Sequence, residues 1–212
     1  MKVTREKAAE NRGKLVSAAG RLFRERGVDG VGVAEISRQA GLTHGALYAQ
    51  FESKDELVAE ALADGLRRSA ERWAEDAKRR PPTLAGYIDY YLSADSRDDY
   101  GGSCPLAASA SEIGRQDPAV CAHFAQGFEK MAEAMQAVMQ DSSLQSSARD
   151  RAIAMSAALV GGLALARGTV KSDPAFSDEI MAAVARVVAE VGDSTSRPAA
   201  SAKKRRQSVR HD

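Results

Sequence analysis

The chain has 212 residues, of which 44 % are hydrophobic, enough to bury one large core or two small ones without disulfide or metal staples. Its two cysteines, Cys104 and Cys121, lack metal-ligand spacing, no apolar run of about 18 residues appears, and the charged start "MKVTREKAAENRGKL" is unlike a signal peptide. These features exclude a zinc site, a disulfide framework and a membrane span as expectations, and they favour a cytoplasmic protein with reduced thiols and no cofactor.

The net charge is +1 but unevenly placed: residues 1–54 carry 10 Lys+Arg against 6 Asp+Glu, residues 55–192 carry 14 against 21, and residues 193–212 carry 6 against 2. A basic start on an acidic body is the footprint of a segment that meets phosphate ahead of one that does not.

Alanine is abundant and no stretch alternates convincingly as a strand would, so the fold class is all-α, with about nine helices. From Thr4 to Arg26, Leu15, Val16, Ala18, Ala19, Leu22 and Phe23 recur at three and four, and Gly27 ends the helix. Val33 to Ala40 predicts a second, short helix, and Gly41 supplies the freedom a tight turn needs. Thr43 caps a third helix over His44 to Phe51, and Ser53 opens a long fourth one, with "SKDE" at capping-box spacing, that stops at Arg79 before Pro81.

Leu84 to Leu92 predicts a fifth helix, "SADSRDDYGGS" a polar loop, and Pro105 the start of a helix with Cys104 just before it. Pro118 opens a helix to about Gln140, "DSSLQSS" connects, and two strongly apolar helices follow over Ala148 to Val170 and Pro174 to Val191. The last residues have almost no apolar content and read as a disordered tail whose "KKRR" is either a basic arm for phosphate or a solvated segment.

Two short helices joined by a Gly-containing turn and braced by a third make a helix-turn-helix, whose second helix enters the DNA major groove. Val33, Ile36, Ala40, Leu42, Leu47 and Phe51 supply its small core, leaving His44, Gly45, Ala49 and Gln50 outward. Tyr48, directly after Leu47 and beside slight residues, points away from that core.

The stretch Lys14 to Leu62, above all "AGLTHGALYAQFESKDEL", resembles the N-terminal segment of the TetR family of one-component bacterial regulators. The resemblance implies a helix-turn-helix DNA-binding domain over residues 9–65, a ligand-sensing and dimerisation domain over 66–192, and the tail over 193–212. It implies phosphate contacts from Tyr48 and Lys54, with Thr43, His44, Gly45, Ala49 and Gln50 facing bases. Gln50 suits adenine and His44 suits guanine N7 or a phosphate. Gly32 and Val33 depart from the family pattern, in which a Thr pair often caps the second helix.

For the body, the resemblance implies a small-molecule effector and a homodimer on a pseudo-palindromic double-stranded operator. "AIAMSAALVGGLALAR", Ala152 to Arg167, is apolar nearly all round and so must be covered on every side. Its cover is either a partner protomer or the chain's own core. Trp73, Tyr87, Tyr91, Phe124, Phe128, Met131 and Met155 are either plain core or the walls of an apolar pocket. Cys104 at a helix start is read two ways, as a reactive thiol, since similar Cys-Pro-Leu stretches occur in some TetR-like regulators, or as a helix-capping residue beside a pocket. No catalytic set or phosphate-binding glycine loop appears, and "SCPLA" lacks the preceding strand of a thioredoxin-like centre, so an enzyme is not expected. A helical interaction protein that has lost its operator is the remaining rival to a ligand-responsive repressor.

Overall fold

A computed structural model describes residues 4–79, 82–139 and 145–193. Ten α-helices and one 3-10 turn make up the secondary structure among the described residues. In order they are α1 (Arg5–Arg26), α2 (Val33–Gln39), α3 (His44–Tyr48), α4 (Lys54–Arg79), α5 (Leu84–Tyr91), α6 (Ala94–Asp98), α7 (Pro105–Ser109), the 3-10 turn (Ile113–Arg115), α8 (Pro118–Val138), α9 (Gln145–Thr169) and α10 (Pro174–Asp193). The all-α expectation holds, and the boundaries explain themselves locally. Thr4 caps α1 by accepting from the Lys7 N–H, and Gly27 closes it at φ 77 with its own N–H on the Phe23 carbonyl.

Two differences from the sequence reading are local. The polar stretch after α5 holds α6, because the Ser93 side chain accepts from the Ser96 N–H and Asp95 sits in the first turn. The third helix ends at Tyr48 rather than Phe51, and Ala49 and Gln50 turn the chain into α4. The tail, including Lys203 to Arg206, and most of the "DSSLQSS" connection lie outside the described residues.

The chain builds two apolar cores on one shared strut. Leu15, Val16, Ala19 and Phe23 of α1 meet Ile36, Leu47, Phe51, Leu57 and Val58 in the first. Tyr87, Ile88, Tyr91, Leu106, Met135, Met155, Leu159, Leu163 and Val188 form the second. Helix α4 runs unbroken between them, and Leu66 and Phe124 touch both. The division expected at residues 65 and 66 therefore falls in mid-helix.

Helix α9 lies against α8 and α10, and Gly162 permits the close approach: a Cβ there would stand 2.9 Å from Val184 Cγ2. Its Ala152, Leu159, Leu163 and Ala166 are fully buried, yet Ile153 and Leu165 on the other side are open. Ala148–Thr169 is long and apolar enough to cross a membrane by length and composition, and half of its apolar window is buried inside the fold.

Candidate DNA-reading face and ligand cavity

The turn between α2 and α3 is built by Gly41 at φ 69, a conformation that a Cβ disfavours, with the Leu42 N–H returning to the Ser37 carbonyl at 2.9 Å. Thr43 then caps α3, accepting from the Ala46 N–H at 3.3 Å. Leu47 and Phe51 are 0 % and 1 % exposed, which nails the short helix to α1 and α4. That anchoring leaves Thr43, His44, Gly45, Tyr48 and Ala49 together on one open face.

Tyr48 is 53 % exposed, its ring edge-on to His44 at 5.1 Å, and its hydroxyl carries no hydrogen bond. Gly45 has nothing within 4 Å of where a Cβ would stand, so the backbone of α3 is the outermost surface there. Helix α2 begins on Gly32 with no side-chain cap.

Two expected contact residues sit differently. Gln50 lies beyond the end of α3 and is half-buried, because its carbonyl accepts from Arg12 and holds the turn inward. Lys54 donates to the Val28 carbonyl at 2.7 Å and approaches the Phe23 ring, so in the free protein its ammonium is part of the packing between α1 and α4. One of its three donors is used, and two remain.

Arg12 went unread in the sequence and is the organiser of this face. Its guanidinium lies 4.1 Å from the Phe51 ring, donates to the Gln50 carbonyl, and pairs with Glu56 at 2.9 Å and with Glu60 at 3.2 Å. The Glu52 N–H, and after it Arg12, hold the Glu56 carboxyl below the usual carboxylate range. The Glu56 N–H in turn donates to Ser53 Oγ at 3.1 Å, so the capping box closes through Glu52 rather than Ser53. The signal was a charge three and four residues before buried Leu15 and Val16, with Glu56 and Glu60 one turn apart on the facing helix.

In the body, α4, α5, α7 and α8 enclose a cavity of about 180 Å³. Trp73 stands edge-on to Tyr87 at 4.6 Å, and Tyr90, Tyr91, Leu106 and Met131 continue the wall. Cys104, the residue before α7, also faces it, while its sulfur makes no capping bond. Burial pushes the Tyr87 and Tyr91 hydroxyls well above the usual phenol range, with the Cys104 thiol adding to both. Phe124 and Phe128 do not line the cavity: Phe124 bridges the two cores and Phe128 packs against the second, so burial in the cores takes the contacts that spacing alone assigned to a pocket. Met155 is core as well. Cys121 is a packed thiol that donates to the Ile113 carbonyl at 3.2 Å.

The segment between α6 and α7 connects cavity and reading head. Arg24 of α1 donates to the Gly101 carbonyl at 2.8 Å, and Arg167 of α9 donates to the Ser96 carbonyl at 2.7 Å, the Arg97 carbonyl at 3.2 Å and Ser103 Oγ. Burial lowers the pKa of both guanidiniums, and neither has a carboxylate in hydrogen-bonding contact. Glu112, just past α7, accepts from the Val28 N–H at 3.0 Å in the loop before α2. Cys104 thus sits between two clamps that reach the first core.

The fold and the exposed α3 face define a helix-turn-helix protein with a helical second domain. Residues 15–61 match the pattern of "Bacterial regulatory proteins, tetR family", so over this segment the chain is similar to the TetR/AcrR family. The HTH-type transcriptional regulator TtgR of Pseudomonas putida is 42 % identical over 71 residues, 34 % of this chain and 33 % of that one. The HTH-type transcriptional activator FasR of Mycolicibacterium smegmatis is 30 % identical over 88 residues, 38 % of this chain and 40 % of its own. These matches span only about a third of the length of the curated relatives. Over the whole fold, the reduced form of E. coli NemR superposes with a TM-score of 0.70 at 16 % identity, covering 89 % of this chain and 98 % of NemR. A TetR regulator structure from Chloroflexus aurantiacus gives 0.70 at 22 % identity, over 87 % and 97 %.

Proposed function

We propose that the chain is a homodimeric transcriptional repressor that leaves a pseudo-palindromic DNA operator when a small molecule fills the cavity. The observation that carries this reading is the open face of α3, where Tyr48 offers an unused hydroxyl beside His44 above fully buried Leu47 and Phe51. Tyr48 and Lys54 hold phosphates and fix register, and Thr43, His44, Gly45 and Ala49 approach the bases. Gln50 reaches a base only if the Arg12 contact to its carbonyl leaves the side chain free to extend. With so few long outward side chains, DNA shape carries part of the specificity.

The dimer is supported by α9 and α10, whose open faces hold Ile153, Leu165, Phe176 and Val187, four of the five large apolar residues exposed on the chain's described surface. A two-fold pair of these faces buries them and sets two α3 helices on one side, as half-sites about 34 Å apart require. The effector acts through the segment that Arg24, Arg167 and Glu112 clamp, because anything displacing Cys104 or α7 pulls on α1 and on the loop before α2. Repression needs only occupancy of the operator, and an operator places the working protein in the cytoplasm.

The test is fluorescence anisotropy of purified protein on DNA from the promoter beside its own gene, across a salt series. A saturable site with affinity falling steeply with salt is expected. Absent or salt-independent binding would leave the helical interaction protein as the function. A second reading, thiol or electrophile sensing, is favoured by one observation: Cys104 faces the cavity beside Tyr91. Release from DNA by an electrophile in the wild type but not in Cys104→Ser would select it.

A further inference from the structure

The charged side chains around the cavity, Arg67 and Lys130, are both cationic. Arg67, His123 and Lys130 border it and no Asp or Glu does. Arg67 is already committed to Asp64 and Glu71, each at 2.6 Å. Lys130 is exposed at the cavity edge and, among the described residues, has no hydrogen bond or ion pair. Buried Tyr87, Tyr91 and Met131 also line the cavity. On the far side of Tyr90, Tyr91 and Cys104 the balance is acidic, for the wider cleft there carries Asp89, Asp95 and Asp99 against Arg72.

We infer that the effector is a small aromatic or aliphatic acid, its apolar body against the wall that Trp73 and Tyr87 form and its carboxylate toward Lys130. This rests on the ligand-responsive reading above and names the class of ligand. Three physical points support it. A cavity of about 180 Å³ lies below the range of drug-sized sites, so the occupant is of single-ring size. The edge-on Trp73 and Tyr87 pair offers flat apolar walls. An unpaired ammonium at the edge rewards an anion and disfavours a cation, and the acidic cleft lies behind the tyrosine wall.

Trp73 is the chain's single tryptophan, so its emission reports occupancy directly. The experiment titrates full-length protein with phenylbutanoate, phenylbutanamide and phenylbutylamine, three probes of one shape and different charge. The carboxylate should quench Trp73 with about tenfold lower Kd than the amide, the energy of one exposed charge-assisted bond, and the amine should bind weakest. Lys130→Gln should erase the preference for the acid while changing the amide Kd less than twofold. Equal binding of acid and amide, tighter binding of the amine, a preference that survives Lys130→Gln, or no quenching by any probe would each overturn the inference. A parallel anisotropy titration on promoter DNA separates the two levels. Release by the amide or amine alone would sink the acid class and keep the regulator, whereas binding of the acid without any effect on DNA affinity would do the reverse.

Discussion

Tyr48→Phe isolates one oxygen atom. Because the ring is 53 % exposed and its hydroxyl is unbonded in the free protein, removing the oxygen takes nothing from the fold, and the melting temperature should stay within about a degree. In the proposed DNA complex the same oxygen donates to a phosphate, a bond to a charged group worth about 1.5 kcal/mol at the low end of its range. A dimer loses two, about 3 kcal/mol, so operator affinity should fall by roughly 100-fold. The slope of log affinity against log salt should not change, since a neutral donor releases no counterion. Lys54→Met, which removes two cations from a dimer, should instead flatten that slope by about 1.8. Anisotropy on the promoter fragment at four salt concentrations reads both quantities. An affinity within twofold of wild type for Tyr48→Phe, with unchanged melting, would refute the phosphate role and the view of α3 built on it.

Leu47→Ala empties a fully buried site beneath the recognition helix and should cost about 3 kcal/mol in urea unfolding, with DNA binding lost at temperatures where the body is still folded. Glu56 has a folded-state pKa below its unfolded value of 4.5, so its contribution is present above that pH and lost as the pH falls through the folded value. Glu56→Gln should therefore flatten the fall of melting temperature on acidification below about pH 4.5, as thermal scans by circular dichroism will report. Leu165→Glu combined with Val187→Glu, both at exposed positions, should give a folded monomer by light scattering that binds the operator far more weakly; an intact dimer would move the interface elsewhere.

Element by element, the sequence was readable where structure is local. Thr4, Gly27, Gly41, Thr43 and Ser53 mark their helix ends by chemistry that acts within four residues, and all five do so in the fold. Helix α6 was missed because its five residues are too few for periodicity, although Ser93 was a visible cap. Gln50 and Lys54 look outward by spacing alone, and only the arrival of Arg12 and the Val28 carbonyl from elsewhere in the chain draws them inward. Such contacts span 26 and 38 residues and no local pattern encodes them. The same holds for the cavity: aromatic residues on α5 and α8 have the same helical spacing, yet Tyr87 and Tyr91 line its wall while Phe124 and Phe128 pack only against the cores.

Helix α9 carries a last consequence. One side fills the second core, and in the proposed dimer the other, with Ile153 and Leu165, is covered only when a second chain arrives. The free energy of the fold then includes a term in protein concentration, and a thousandfold dilution removes about 4 kcal/mol of it. Copy number becomes a stability parameter: a sparse chain is a weaker fold as well as a rarer one, and any change in its expression resets both together.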